Sequence, residues 1–109
     1  MKIIYNNILP VKGFSAINLF GILFVRKGVV VSERLLNHEK IHSAQMREML
    51  YVFFYLWYVA EWLVKLLKYR SDSYHNISFE REAYSNETKI NYLKERKFWA
   101  WVKYINKGA

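Results

Sequence analysis

The sequence predicts an α+β fold that is mostly helical, with a short N-terminal hairpin or strands leading into about three helices. Three observations carry that expectation. Before residue 32, runs rich in Ile, Val, Leu and Phe are interrupted by turn residues, the pattern of short strands. Ser32 and Glu33 open a stretch with helical character, Ser as N-cap and a carboxylate in the first turn. After a polar segment, Ser78 opens a second such stretch containing Glu80, Glu82 and Glu87. No Gly-, Ser- or Pro-rich linker divides the chain, so residues 1–109 read as one domain. Residues 1–31 form a strand-rich lead-in and residues 32–109 a helical core.

Taken in order, residues 2–5 (KIIY) suit a short strand, and Asn6-Asn7, Pro10 and Gly13 supply turn chemistry. Ala16 to Arg26 reads as one extended strand, with Gly21 as a bulge. Val29-Val30-Val31 forms a second short β-branched run after the Arg26-Lys27-Gly28 turn. The helix from Ser32 carries Leu35, Leu36 and Ile41. Between Leu50 and Leu67, 16 of 18 residues are apolar, Glu61 and Lys65 being the exceptions. That length can span a bilayer. However, the charges sit four apart within it, and seven Tyr, Trp or Phe residues are spread throughout instead of gathering at its ends. A core helix with one face at a membrane interface fits at least as well. Tyr69 to Ser78 is loop-like, and the last helix is expected to run through Tyr92 and Leu93 to about Tyr104.

The residues His38-Glu39-Lys40-Ile41-His42 (HEKIH) organise the functional reading. Two histidines four apart on a helix project from one face, where both imidazoles reach a single metal ion. Glu39, about 100° round from His38, lies beside the open coordination position. In this arrangement two His hold Zn²⁺ and the Glu takes a proton from water. Catalytic zinc generally has three protein ligands, and Glu80, Glu82, Glu87 and His75 are the candidates for the third. Glu80 is preferred because it shares a helix face with the small Ala83, which permits close approach of the HEKIH helix. Glu82, pointing about 160° away, is second. His75 reads as a loop residue.

HEKIH followed by Glu80-Arg81-Glu82-Ala83 resembles the gluzincin metallopeptidases with HExxH and a downstream ExxA helix, such as membrane-associated sensor peptidases and the CAAX-processing type. The strand-then-helix lead-in is similar too. The resemblance covers roughly residues 13–47 and 78–88 and implies a minimal zincin-like core. It further implies that His38, His42 and Glu80 bind zinc, that Glu39 is the general base, and that a peptide or protein is hydrolysed. Tyr84 departs from the pattern, where many relatives have Asp or Asn supporting a histidine ligand.

The ligand set constrains the path. One straight helix from Ser32 to Tyr69 would end about 40 Å beyond His42, at the limit of what the 11 residues to Glu80 can span. The chain is therefore expected to turn back between about Glu48 and Tyr55, although no Gly or Pro marks the place. The apolar segment then becomes an antiparallel core helix.

Composition bounds the remaining classes. The chain has 17 Lys and Arg against 9 Asp and Glu, a net charge of +8 that favours an anionic partner. The absence of Cys excludes disulfides and thiolate metal ligands. No cleavable signal is recognisable, because Arg26-Lys27 follow the apolar stretch where small residues should be. Membrane-associated or cytoplasmic residence follows. The alternative to a peptidase is a non-catalytic membrane-surface or protein-binding module with a vestigial or structural metal site, for which the basic-aromatic tail beginning at Lys94 would be the anchor. Nucleic-acid binding is disfavoured: the lysines are scattered and HEKIH would then have no role.

Overall fold

The computed structural model of the chain describes residues 1–8 and 14–105. The turn expected at Pro10 and Gly13 lies outside the described residues. Three strands form one sheet: β1 (Lys2–Asn6), β2 (Ala16–Leu19) and β3 (Ile22–Arg26), in the order β1-β3-β2. β3 is central, parallel to β1 and antiparallel to β2. Its alternation turns Leu23 and Val25 fully inward.

The single strand expected over Ala16–Arg26 is thus a hairpin. Phe20 and Gly21 both adopt positive φ (52° and 87°), which a two-residue hairpin turn of the primed type requires. Asn18 Oδ1 accepts from Gly21 N at 3.0 Å, and Tyr55 Oη accepts from Phe20 N at 2.9 Å. The apolar run hid the turn because Phe at such a position has no turn signature of its own. Val29–Val31 is not a strand either; Gly28, at φ 90°, directs the chain off the sheet, and Val30 is exposed.

Four helices follow, one more than expected: α1 (Glu33–Glu48), α2 (Val52–Tyr69), α3 (Ser78–Asn86) and the single turn α4 (Tyr92–Glu95). Ser32 caps α1 as anticipated, its hydroxyl accepting from Leu35 N at 3.0 Å. The reversal falls within the expected window. α1 and α2 are bent by 110°, so α2 turns past perpendicular instead of running antiparallel. Leu50 and Tyr51 take positive φ (53° and 60°), and Tyr51 N reaches back to Met46 O at 2.8 Å.

Residues 70–76, expected as loop, form two short 3-10 turns, Arg70–Asp72 and Tyr74–Asn76. Ser78 is not the cap of α3 but its first residue; Glu61 of α2 supplies the cap, accepting from Ser78 N and Ser78 Oγ, each at 2.6 Å. A carboxylate at a helix N-terminus satisfies an orphan donor and meets the favourable end of the dipole. The long final helix is also corrected. α3 stops at Asn86, and the chain turns so that Arg96 can return to Glu48 and Glu82 before a last 3-10 segment, Ala100–Tyr104. The core is Met46, Met49, Phe54, Ile77, Phe79 and Trp101, with Phe54 stacked on Phe79 at 4.5 Å between centroids.

Candidate metal centre

The site is built where α1 and α3 pack on each other. His38 and His42 project from one face of α1, and Glu80 comes from the first turn of α3, held there by the Glu61 cap. Ala83, expected as the small residue beside Glu80, is fully buried in α3. The three side chains are buried, and they form a group able to hold a metal ion. His42 Nε2 lies 3.1 Å from His38 Nε2 and 3.0 Å from Glu80 Oε1, and His38 Nε2 lies 3.3 Å from that same oxygen. A tetrahedral ion about 2.0–2.1 Å from each donor separates them by roughly 3.3–3.4 Å, so the triangle needs only slight expansion to accept one.

Each donor is oriented from behind. His38 Nδ1 meets Glu87 Oε1 at 3.1 Å, and Arg34 Nε bonds the other Glu87 oxygen at 2.8 Å. His42 Nδ1 meets Gln45 Oε1 at 2.8 Å, and Gln45 Nε2 donates to Phe79 O and Glu82 Oε1, both at 3.0 Å. With Nδ1–H donated in both rings, both Nε2 atoms face the site. This is the arrangement that fixes the tautomer of a metal-ligating histidine. Glu80 Oε2 accepts from Tyr58 Oη at 2.7 Å, leaving Oε1 for the histidines.

The other candidates are placed elsewhere. Glu82 is fully buried but bonds Gln45, Tyr92 and Arg96. Glu87 supports a ligand instead of being one, and His75 is exposed beside Asp72. Tyr84 donates nothing to the histidines; its ring lies edge-on to His38 at 4.5 Å, and the carboxylate behind His38 is that of Glu87, one turn later. Sequence reasoning missed Gln45, Tyr58 and Asn18. Gln45 had a signal, standing three residues after His42 on the same face. Asn18 and Tyr58 had none, since their roles depend on how β2 and α2 meet α1. Asn18 Nδ2 donates to Glu39 O and Ser43 Oγ, both at 2.9 Å, pinning the motif's backbone to the sheet.

Burial pushes the Glu39 carboxyl above its ordinary range, against the pull of His42 and His38, and the Glu80 and Glu87 charges add to the rise. Its carboxylate accepts no hydrogen bond among the described residues. It lines a cavity of about 330 Å³ with His42, Glu80, Tyr74 and the residues of β2. For His42, burial opposes protonation, but the Glu80 charge and hydrogen bond outweigh it and raise the imidazole to about 9. Burial likewise works against ionised Glu80, yet His42 and His38 hold its carboxyl well below the usual carboxylate range.

Among the known proteins compared, no protein family, no curated protein and no solved structure matches this chain. The donor geometry therefore carries the functional argument. No helix among the described residues is long and apolar enough to cross a membrane.

Proposed function

We propose that the protein is a zinc-dependent peptidase whose ligands are His38, His42 and Glu80 and whose general base is Glu39. The observation carrying this reading is the convergence of both Nε2 atoms and Glu80 Oε1 within 3.3 Å, each ligand braced from behind, at the wall of a cavity. A purely structural site would be closed; this one opens beside a carboxylate with no partner among the described residues. Zinc, when bound, supplies a Lewis acid that polarises a carbonyl oxygen and acidifies water.

The chain's residues would do the rest. Glu39 takes the proton of the water that adds to the carbonyl carbon, then delivers it to the amine as the C–N bond breaks. Its raised affinity for a proton suits both transfers. β2 is one of the sheet's two outer strands, and its residues Ala16–Leu19 border the cavity, so an extended peptide can pair with its edge across the metal. Phe14, Met46, Phe54 and Tyr55 make the remaining wall apolar, which favours a bulky apolar side chain next to the scissile bond.

Elemental analysis of purified protein, beside His38→Ala and Glu80→Ala, is the test. About one zinc per chain, lost in both variants, is expected. Zinc retained in Glu80→Ala would remove the ligand set. Absence of metal in the wild type after zinc addition would remove the peptidase reading and leave the non-catalytic module. With zinc established, Glu39→Gln should retain the metal and lose hydrolysis of peptide libraries.

A further inference from the structure

The polarity of α2 is inverted. Its inward stripe is Tyr51, Phe54, Tyr55, Tyr58, Glu61 and Lys65, so both charges of the apolar stretch are turned into the protein. There they are fully used. Glu61 caps α3, while Lys65 Nζ bonds Glu61 and the carbonyls of Asn76 and Ile105 at 2.7 and 3.0 Å. The outward face holds Phe53, Leu56, Trp57, Leu63, Val64 and Leu67, with Leu56 62% and Leu67 86% exposed. A helix at a water-facing surface has the opposite arrangement. At 18 residues this face runs roughly 27 Å, a contiguous exposed apolar face of the kind that marks an interaction site. Buried Trp101 lies beneath a further exposed pair: Trp57 and Trp99 each lie 5.5 Å from it, and Trp99 lies 5.7 Å from Phe98, which is 68% exposed.

We infer that this face is the seat of the protein on an anionic lipid bilayer, with α2 lying in the interface. The charges around it select lipid over a protein partner. Exposed Lys68 and Arg70 stand at the end of α2, Lys97 adjoins Phe98, and Lys103 follows Val102. Lys40 and Arg47 of α1 line a cavity of about 690 Å³ that reaches Phe98, Phe20 and Tyr51, and neither has a side-chain partner among the described residues. Protein interfaces are depleted in Lys, whereas Lys around Trp and Phe is the pattern of headgroup contact. The net charge of +8 has the matching sign.

Co-sedimentation with phosphatidylcholine vesicles, with and without phosphatidylglycerol, tests this directly. The wild type should sediment with the anionic vesicles, with a blue shift of tryptophan emission. Leu56→Glu/Leu63→Glu should weaken binding about tenfold or more, and Lys40→Glu/Arg47→Glu should erase the preference for phosphatidylglycerol. Circular dichroism verifies folding. If the double leucine variant is misfolded, Leu67→Glu at the exposed end of α2 replaces it. His38→Ala should bind vesicles as the wild type does, which separates this inference from the peptidase reading. Undiminished binding by the folded leucine variant overturns it. So does a wild type that ignores vesicles, including one that forms a dimer dissociated by the same substitutions, which would give the face to a second copy.

Discussion

Two buried polar clusters lie between α1 and α3, and they differ in one respect. In the first, Arg96 bonds Glu48 through two nitrogens at 2.7 and 3.0 Å and also reaches Glu82, which accepts from Tyr92 as well. In the second, Glu39, Glu80 and Glu87 surround His38 and His42, and the guanidinium that touches it, that of Arg34, is largely exposed and among the described residues bonds Glu87. The first cluster brings its own permanent charge and needs nothing further. The second has carboxylates facing imidazoles, which a divalent ion would complete. One interface thus carries a cross-link and a group able to hold a metal ion, and the difference is a buried guanidinium. Gln45 joins them, taking the His42 Nδ1 proton with its oxygen and donating to Glu82 with its nitrogen.

The sharpest test of this contrast is to remove the central group of each cluster. Arg96→Ala strands two buried carboxylates and should cost about 3–5 kcal/mol in urea-induced unfolding. His42→Ala should abolish zinc uptake and, above about pH 9 where the His42–Glu80 charge pair no longer contributes, should change the stability of the metal-free protein far less than Arg96→Ala does; equal losses there would erase the distinction. Glu39→Gln should lower peptide hydrolysis about 10²–10⁴-fold without loss of zinc, measured as kcat on a fluorogenic peptide. Glu87→Ala, which frees the back of His38, should weaken zinc about 10–100-fold in a competition titration with a chelating dye.

Metal uptake should also depend on pH in a direction fixed by His42. Its imidazole, raised to about 9, must lose its proton to become a ligand, so zinc affinity should climb with pH up to about 9, with close to one proton released per ion. For the metal-free protein the sign is opposite. A folded-state value above the unfolded 6.5 adds stability that is fully present below about pH 6.5 and disappears as pH rises through about 9. Isothermal titration in buffers of different ionisation enthalpy reads the first effect, and denaturation at pH 6 and 9 the second. The smallest change is expected at the α1–α2 break. Leu50→Gly relieves a positive φ at an exposed residue and should stabilise the fold by about 0.5–1 kcal/mol.

Local chemistry was legible where one element determined it. The HEKIH face, the Ser32 cap and the choice of Glu80 over Glu82 all follow from helical periodicity. The reversal at residues 49–51 was legible from the reach of the chain, although its agents, Leu50 and Tyr51, carry no turn signature. Features that depend on two elements meeting were not legible. The Phe20-Gly21 turn is stabilised in part by Tyr55 of α2, and Ser78 looked like a cap until Glu61 was found capping it. Likewise the return of Arg96 to Glu48 and Glu82, after α3 has ended at Asn86, joins residues far apart in sequence, which no local pattern contains.

The two sides of the metal group come from helices separated by all of α2, His42 and Glu80 being 38 residues apart. An unfolded chain cannot present them together without paying the entropy of closing that long loop. An ion held there therefore acts as a removable clasp on the chain's topology, favouring the native state by mass action. Free zinc at a hundredfold over its dissociation constant adds about 2.7 kcal/mol to the folding equilibrium. If zinc is that ion, the melting temperature of this protein should rise with the zinc supplied to it.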